Sequence, residues 1–320
     1  MKLLISGGAG FIGSNLVESF LQDPQFELVR VLDNLATGSK SNIEAHLSNP
    51  KFQFIEGDIR NPGDCEKACE GIEVICHQAA LGSVPRSIAD PFTSHNVNVN
   101  GFINILESAR KAGITRVVYA SSSSVYGDLP DSPKVENRIG KVLSPYAATK
   151  MCNEVYAEAW AKTYGLQIIG LRYFNVFGPR QDPNGPYAAV IPLFIKSAIQ
   201  GTPPLINGDG SITRDFTPVE NVVQVNRKAI LNPFEGAFHK VINVACGKTT
   251  SLLQLWNNIE EITGQKMEPI FGPVRKGDIL QSLANIGEAQ KLLGYIPFED
   301  LKAALGNTYN WYRQNGKLLS

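Results

Sequence analysis

Gly7-Gly8-Ala9-Gly10-Phe11-Ile12-Gly13 is the stretch on which the fold turns. It follows Lys2-Leu3-Leu4-Ile5-Ser6, an apolar run with the character of a buried strand. It precedes Asn15-Leu16-Val17-Glu18-Ser19-Phe20-Leu21, whose apolar positions recur at helical spacing. The stretch therefore reads as a glycine-rich turn from a strand into a helix. Gly7 permits the tight turn, Gly10 lets backbone approach a pyrophosphate, and Gly13 lets the helix pack on the strand. The helix N-terminus offers unpaired N–H groups and partial positive charge to an anion. Phe11 and Ile12, between the last two glycines, join the expected cofactor contact. Such a turn arises often by chance, and Asp33 narrows the reading. Val29-Arg30-Val31-Leu32 has the pattern of a second strand. Asp33 closes it ~20 residues beyond Gly13, where a carboxylate accepts the ribose hydroxyls of NAD. A 2′-phosphate would be repelled there, so NAD is favoured over NADP.

The length of 320 residues accommodates one or two domains and a sizeable core. An apolar fraction of 43% and a charged fraction of 19% are those of an ordinary globular protein. Lys+Arg and Asp+Glu balance at 30 each, so no global field attracts nucleic acid or anionic lipid. Any anionic ligand is expected to be held locally. The five cysteines (Cys65, Cys69, Cys76, Cys152, Cys246) form no Cys-x-x-Cys pair, and no histidine accompanies Cys65 and Cys69. Idle thiols are expected rather than disulfides or a metal site, and with them a reducing, cytoplasmic setting. No apolar run approaches the ~18–20 residues needed to span a bilayer.

Along the chain, Phe52-Gln53-Phe54-Ile55, Glu73-Val74-Ile75-Cys76, Val117-Val118-Tyr119-Ala120 and Gln167-Ile168-Ile169-Gly170-Leu171 read as further strands. Helical stretches lie between them, at Asp64 to Cys69, Asp90 to Lys111 and Pro145 to Tyr164, the last with Gly165 as its stop. Alternating strands and helices predict an α/β fold, a Rossmann-type doubly wound parallel sheet. Ligands in such sheets bind outside the carboxyl ends of the strands. Beyond about Phe174 the rhythm becomes irregular: helices are expected at Val190 to Gln200, Val219 to Ile230, Leu252 to Thr263 and Leu301 to Tyr312. The expected division is a dinucleotide-binding domain over 1–174 and a smaller α/β substrate domain over 175–320, with interleaving of segments allowed.

Tyr146 and Lys150 stand at i and i+4 near the start of a predicted helix and so share a face. A lysine ammonium beside a tyrosine hydroxyl, helped by a nearby nicotinamide cation, draws the phenol down from its usual value of ~10 toward neutrality. Tyr146 then becomes a general base and acid. That spacing is common by chance, and alone it fits a packing tyrosine and a solvated lysine better. The run Ser121-Ser122-Ser123-Ser124 at the end of the predicted fifth strand adds hydroxyls in the right chain order.

These residues carry a resemblance that spans nearly the whole chain. Gly7-x-x-Gly10-x-x-Gly13, Asp33-Asn34, Gly57-Asp58-Ile59, His77-Gln78-Ala79-Ala80, Asn98-Val99-Asn100-Gly101, Ser121 to Gly127, Tyr146-x-x-x-Lys150, Arg172-Tyr173-Phe174-Asn175, Arg214-Asp215-Phe216 and Arg275-x-x-Asp278 occur in order. The chain resembles the extended short-chain dehydrogenases/reductases, in particular their NAD-dependent nucleotide-sugar epimerases. Ser83-Val84-Pro85-Arg86-Ser87 and Phe177 to Pro183 are similar to the bacterial UDP-N-acetylglucosamine 4-epimerases.

The resemblance implies a UDP-sugar 4-epimerase with tightly held NAD. Tyr146 would take the proton of the sugar 4-hydroxyl, Ser122 would bond the 4-oxygen, and Lys150 would grip the nicotinamide ribose. Asp33 and Asn34 would hold the adenosine ribose, Asp58 and Ile59 the adenine; Gln78, Ala79, Ala80, Asn98 and Tyr173 would complete the cofactor site. Substrate contacts are implied at Ser83, Ser123, Asn175, Ala189, Val190 and Asn207. Arg214 and Arg275 would pair with the UDP phosphates and Asp278 with the uridine ribose. Related dehydratases and decarboxylases carry acids after the catalytic hydroxyl, where this chain has Ser123 and Ser124. Epimerases restricted to UDP-glucose and UDP-galactose carry a bulky tyrosine four residues after the Asp278 position; Ser282 stands there instead and leaves room for a 2-acetamido group. The alternatives are 4-epimerisation of UDP-glucose or a UDP-hexuronic acid, or a non-catalytic NAD-binding regulator. A homodimer is implied by the resemblance; no nucleic-acid, membrane or metal partner is expected.

Overall fold

The computed structural model describes residues 1–185, 188–273 and 281–315. The N-terminal apolar run forms β1 (Lys2–Ser6), and α1 (Phe11–Gln22) follows the glycine turn. The chain continues through β2 (Leu28–Asp33), β3 (Phe52–Glu56), α2 (Pro62–Cys69) and β4 (Val74–His77). After α3 (Val84–Ala89), the single helix expected up to Lys111 is realised in three parts. These are α4 (Pro91–His95), a wide π-helical turn at Asn96–Asn100, and α5 (Gly101–Lys111). Next come β5 (Arg116–Ser122), α6 (Pro145–Tyr164) and β6 (Gln167–Tyr173). Pro145 occupies the first turn of α6, the Ser144 hydroxyl caps it, and Gly165 ends it in the left-handed region at φ 76°.

Beyond β6 the elements shorten to β7 (Val176–Phe177), α7 (Val190–Gln200), β8 (Leu205–Asn207), β9 (Thr213–Arg214) and β10 (Thr217–Pro218). Then follow α8 (Val219–Leu231), β11 (Phe238–Val244), β12 (Thr250–Ser251) and α9 (Leu252–Thr263). The last described elements are β13 (Ile270–Gly272), β14 (Gln281–Ser282), α10 (Gly287–Leu293) and α11 (Leu301–Gln314).

Seven strands pair in the order β11-β6-β5-β4-β1-β2-β3, all parallel. The order reverses between β1 and β4, which opens a crevice at the carboxyl ends of the strands. Side chains alternate between the two faces. Leu3, Ile5, Val118 and Ile169 meet Leu16 and Phe20 of α1 and Val222 and Val225 of α8. Leu4, Ile75, Val117 and Ile168 meet Phe102 and Leu106 of α5 and Ala157 and Ala161 of α6. A separate apolar cluster joins Phe194 of α7, Trp256 of α9 and Leu305 of α11.

β11 departs from the sequence reading. It pairs with β6 over seven residues and extends the sheet with a segment from beyond residue 175. The run Phe238-His239-Lys240-Val241-Ile242-Asn243-Val244 lacks a continuous apolar signal because it is an edge strand whose first half is less buried. α8 and Leu293 of α10 pack on the same sheet face. The segments of the C-terminal half are thus shared between the sheet layer and the smaller cluster.

Candidate active site

The glycine turn is built as its spacing demands. Gly7 sits at φ +75°, and a Cβ there would lie 2.6 Å from the Ala79 nitrogen. A Cβ on Gly13 would lie 2.0 Å from the Gly7 carbonyl oxygen, so only glycine lets α1 dock on the turn. Gly10 begins α1 with no side-chain cap, and no acidic residue occupies the first turn, which leaves the helix N-terminus to an anion. Asp33, 8% exposed, accepts the Ala9 N–H at 2.9 Å on Oδ2 and the Leu35 N–H at 2.8 Å on Oδ1. Each oxygen keeps a lone pair for a ribose hydroxyl. Burial raises the Asp33 pKa against those two backbone bonds. Asn34 donates to Asp58 at 2.8 Å, and Arg60 holds the Asp58 carboxyl down at about 2.

The groups expected to transfer protons lie on β5 and α6. Ser122, the last residue of β5, accepts the Ser124 N–H at 3.1 Å and the Ser124 hydroxyl at 2.9 Å. Its hydroxyl is also hydrogen-bonded to the Tyr146 side chain. The Tyr146 N–H donates to the Ser87 hydroxyl at 2.9 Å, which ties the start of α6 to α3. Lys150, 2% exposed, donates from Nζ to the Ala120 carbonyl at 2.8 Å. Burial lowers the Lys150 pKa to about 8, with Glu154 acting against that fall.

One expectation is corrected here. The Tyr146 pKa lies above its ordinary value rather than below it, because burial raises it while a hydrogen bond with Ser122 opposes the rise. The Lys150 ammonium is engaged by the Ala120 carbonyl.

A cavity of about 630 Å³ runs from the glycine turn to these groups. It brings together nearly all the expected cofactor residues: Gly7, Gly10, Phe11, Ile12, Gly13, Asp33, Asn34, Asp58, Ile59, Gln78, Ala79, Ala80, Lys150 and Tyr173. Ser83, Ser122, Ser123, Tyr146, Asn175 and Ala189 line it too. A second cavity, of about 260 Å³, shares Asn175 and Ala189 and adds Val190, Asn207 and Arg214. Asn98 lines neither. It is buried in the wide turn before α5, where its carboxamide accepts the Leu81 N–H at 2.8 Å and donates to the Thr149 hydroxyl at 3.1 Å. These bonds tie it to the loop after β4 and to α6, beside the cavity-lining Leu81 and Val97. Ser282 also lines neither, yet β14 pairs with β9 so that Ser282 lies opposite Arg214. Arg275 and Asp278 lie outside the described residues.

The sequence reading missed Gln181 and Asp182, which line the main cavity from the loop after β7. Arg180 in that loop adopts φ 68° and bonds Asn15 at 2.8 Å and Glu18 at 2.5 Å, clamping the loop onto α1. Their signal stands in Pro179-Arg180-Gln181-Asp182, a run that serves above only for the family resemblance. Asn226 of α8 was missed as well. It donates to the Tyr173 hydroxyl at 2.8 Å, and that hydroxyl donates to Gln78 at 3.1 Å. Leu35 and Asn175, at φ 57° and 37°, are further non-glycine residues held in a costly conformation at or beside the cavity. Among the described residues, no group of three His, Cys, Asp or Glu side chains is placed to hold a metal. No described helix is long and apolar enough to cross a membrane.

The residues present fit a dinucleotide: an uncapped helix N-terminus behind glycines, and a buried carboxylate with free lone pairs at the end of β2. Comparisons with known proteins agree. The NAD dependent epimerase/dehydratase family matches residues 3–245. The UDP-glucose 4-epimerase of Mycolicibacterium smegmatis is 37% identical over 319 residues, covering 99% of this chain and 100% of that one. The structure of the UDP-N-acetylglucosamine 4-epimerase from Methanobrevibacter ruminantium M1 in complex with UDP-N-acetylmuramic acid superposes with a TM-score of 0.92. It is 35% identical, and the match covers 98% of both chains. The Thermus thermophilus UDP-glucose 4-epimerase complex with NAD gives a TM-score of 0.86 at 31% identity, covering 98% of this chain and 99% of that one. With a glycine turn after β1, a buried aspartate at the end of β2 and a Tyr-Lys pair in the first turns of α6 around one cavity, this chain belongs to the NAD dependent epimerase/dehydratase family.

Proposed function

We propose that the chain is a UDP-sugar 4-epimerase that interconverts UDP-GlcNAc and UDP-GalNAc. Bound NAD would supply the oxidant for the sugar C4–H and return the same hydride to the opposite face. Tyr146 takes the 4-hydroxyl proton as that hydride leaves and gives it back when the 4-keto sugar is reduced. Ser122 turns its hydroxyl from Tyr146 to the 4-oxygen and keeps it oriented. Lys150 holds the cofactor ribose and stabilises the tyrosinate. Ser123 and Ser124 offer hydroxyls and no carboxylate, so the chain has no acid there to drive elimination of water.

The observation that carries the N-acetyl assignment is the pairing of β14 with β9. It sets the small side chain of Ser282 opposite Arg214, which lines the second cavity. A tyrosine in that place would occupy the volume of an acetamido group, and overpacking costs ~1–3 kcal/mol. Purified protein incubated with UDP-GlcNAc is expected to form the C4 epimer, followed by NMR; absence of product would sink the reading. Ser282→Tyr is expected to lower kcat/KM for UDP-GlcNAc by roughly 5–150-fold, the kinetic equivalent of that cost. UDP-Glc turnover should be spared, and an unchanged preference would place the gate elsewhere.

A second reading, a UDP-hexuronic acid substrate, is favoured by Arg86. Its guanidinium belongs to a residue lining the main cavity and bonds no described residue, so a sugar carboxylate suits it. Comparing kcat/KM over UDP-GlcNAc, UDP-Glc and UDP-GlcA decides between them. The homodimer remains part of this proposal: α4 and α6 pack together and expose Phe92 (87%) and Val155 (62%). Light scattering during size exclusion reads the mass directly.

A further inference from the structure

Tyr146, Lys150, Glu154 and Glu158 recur every four residues on α6 and so form one row along the helix. The third of them has no part in the chemistry above. Glu154 is 7% exposed and its carboxylate is fully engaged. Oε1 accepts the Ser121 hydroxyl at 2.6 Å and Arg172 Nε at 2.9 Å, while Oε2 accepts Arg172 Nη2 at 2.7 Å. Arg172 is itself 3% exposed, donates to the Glu136 carbonyl at 3.0 Å and lies 4.8 Å over the Tyr126 ring. Ser121 immediately precedes Ser122, and Ala120 before it receives the Lys150 ammonium.

We propose that Glu154 is a positioning residue: from one helical turn away it keeps Lys150 an ammonium, and through Ser121 it fixes the strand end that presents Ser122. This rests on the reading of Lys150 as the residue that holds the cofactor ribose and steadies the Tyr146 anion. The ionisable groups around the ammonium support it. Tyr146, Glu154 and, a turn further on beside His239, Glu158 share its helix. His77 on β4 is buried and kept neutral, its pKa lowered to about 3 by burial and by Lys150. Arg172 on β6 stands behind Glu154, and Glu136 lies beyond Arg172. Arg86 of α3, His95 of α4, Glu107 and Arg110 of α5 and His239 of β11 belong to the other elements packed on α6. Of these groups Glu154 is the anion acting on Lys150, and it acts against desolvation.

Activity requires charged Lys150, so its loss of a proton sets the alkaline limb of the kcat–pH profile. Glu154→Gln removes the opposing anion, and the limb moves to lower pH by about one unit. Arg172→Gln instead leaves Glu154 un-neutralised, which favours the ammonium, and the limb moves to higher pH. Both changes break a buried ion pair and both destabilise. A merely structural role would lower kcat in both without moving the limb in opposite directions. Glu154→Asp keeps the charge and is expected to restore the wild-type limb. If the single variants fail to fold, Glu154→Gln/Arg172→Gln leaves no buried charge unpartnered; its limb should lie below wild type but above that of a lone Glu154→Gln.

The measurement is epimerisation of UDP-GlcNAc or UDP-Glc, whichever the enzyme turns over, with bound NAD and melting temperature recorded for each variant. An unmoved alkaline limb in Glu154→Gln, or in the double variant, overturns the proposal. Lys150→Met separates the two levels. Full turnover in Lys150→Met removes the underlying reading; lost turnover with an unmoved limb in Glu154→Gln removes only the role of Glu154.

Discussion

Tyr146→Phe is expected to lower epimerisation by roughly 10²–10⁴-fold, the usual contribution of a positioned acid–base group. The phenyl ring keeps its packing, and the Tyr146 N–H bond to Ser87 involves only backbone, so the start of α6 is undisturbed. Bound NAD and melting temperature should stay at wild-type values. The loss should fall on kcat rather than KM, because the hydroxyl acts as the 4-oxygen changes charge. Since burial lifts the Tyr146 pKa in the protein alone, the phenol needs the Lys150 charge and the bound cofactor to become a base near neutral pH. Activity should therefore rise with pH on the acid side through the deprotonation of Tyr146. Comparable turnover in Tyr146→Phe, measured by NMR on UDP-GlcNAc and UDP-Glc, would remove Tyr146 from the chemistry.

Gly13→Ala and Gly10→Ala are expected to separate two functions of one turn. At Gly13 the new Cβ meets backbone: the Gly7 carbonyl oxygen at 2.0 Å, its carbon at 2.8 Å and the Gly8 Cα at 2.8 Å. Nothing flexible gives way there, so α1 shifts off the strand. The expected result is purified protein without NAD and a stability loss of ~1–3 kcal/mol or more. At Gly10 the nearest atom is the Gly7 oxygen at 3.3 Å, and φ −78° is open to alanine. That change points a methyl at the cavity and should deplete NAD with little effect on melting. NAD released on denaturation and a thermal melt read both. Full NAD occupancy in Gly13→Ala would contradict the cradle.

What could be read from the sequence follows from how local the causes are. The glycine turn, Asp33, the serine run and Tyr146/Lys150 each lie at the carboxyl end of a strand or the start of a helix. Chain order alone therefore places them in one crevice once the sheet is parallel. Helix α6 was legible to the residue because Pro145 and Gly165 mark both ends. β11 was not, since an edge strand carries His239 and Lys240 where a central strand would be apolar. The bonds of Asn98 to Leu81 and Thr149 were not legible for a related reason. A buried carboxamide that supports a loop and one that touches a ligand look alike in a sequence. The rise of the Tyr146 pKa in the protein alone was not legible, because burial is a property of the packed protein, while the i,i+4 rule sees only the lysine. The Glu154–Arg172 pair joins residues 18 apart on different elements, and no local pattern announces it.

The edge position of β11 bears on how the chain can be cut. Residues 1–175 contain the entire cofactor motif set, which invites their use as a minimal dinucleotide module. Without residues 238–244, β6 would present its unpaired N–H and C=O groups along an apolar Ile168-Ile169-Gly170-Leu171 run, a template for joining another copy. Without α8, Val118 and Ile169 would lose Val222 and Val225 from above them. Such a fragment is expected to aggregate in light scattering, and adding a separately made C-terminal piece should restore solubility by supplying the missing strand. During synthesis, β6 has no partner on that edge until residue 244 emerges, so the nascent N-terminal portion is expected to be adhesive over that interval.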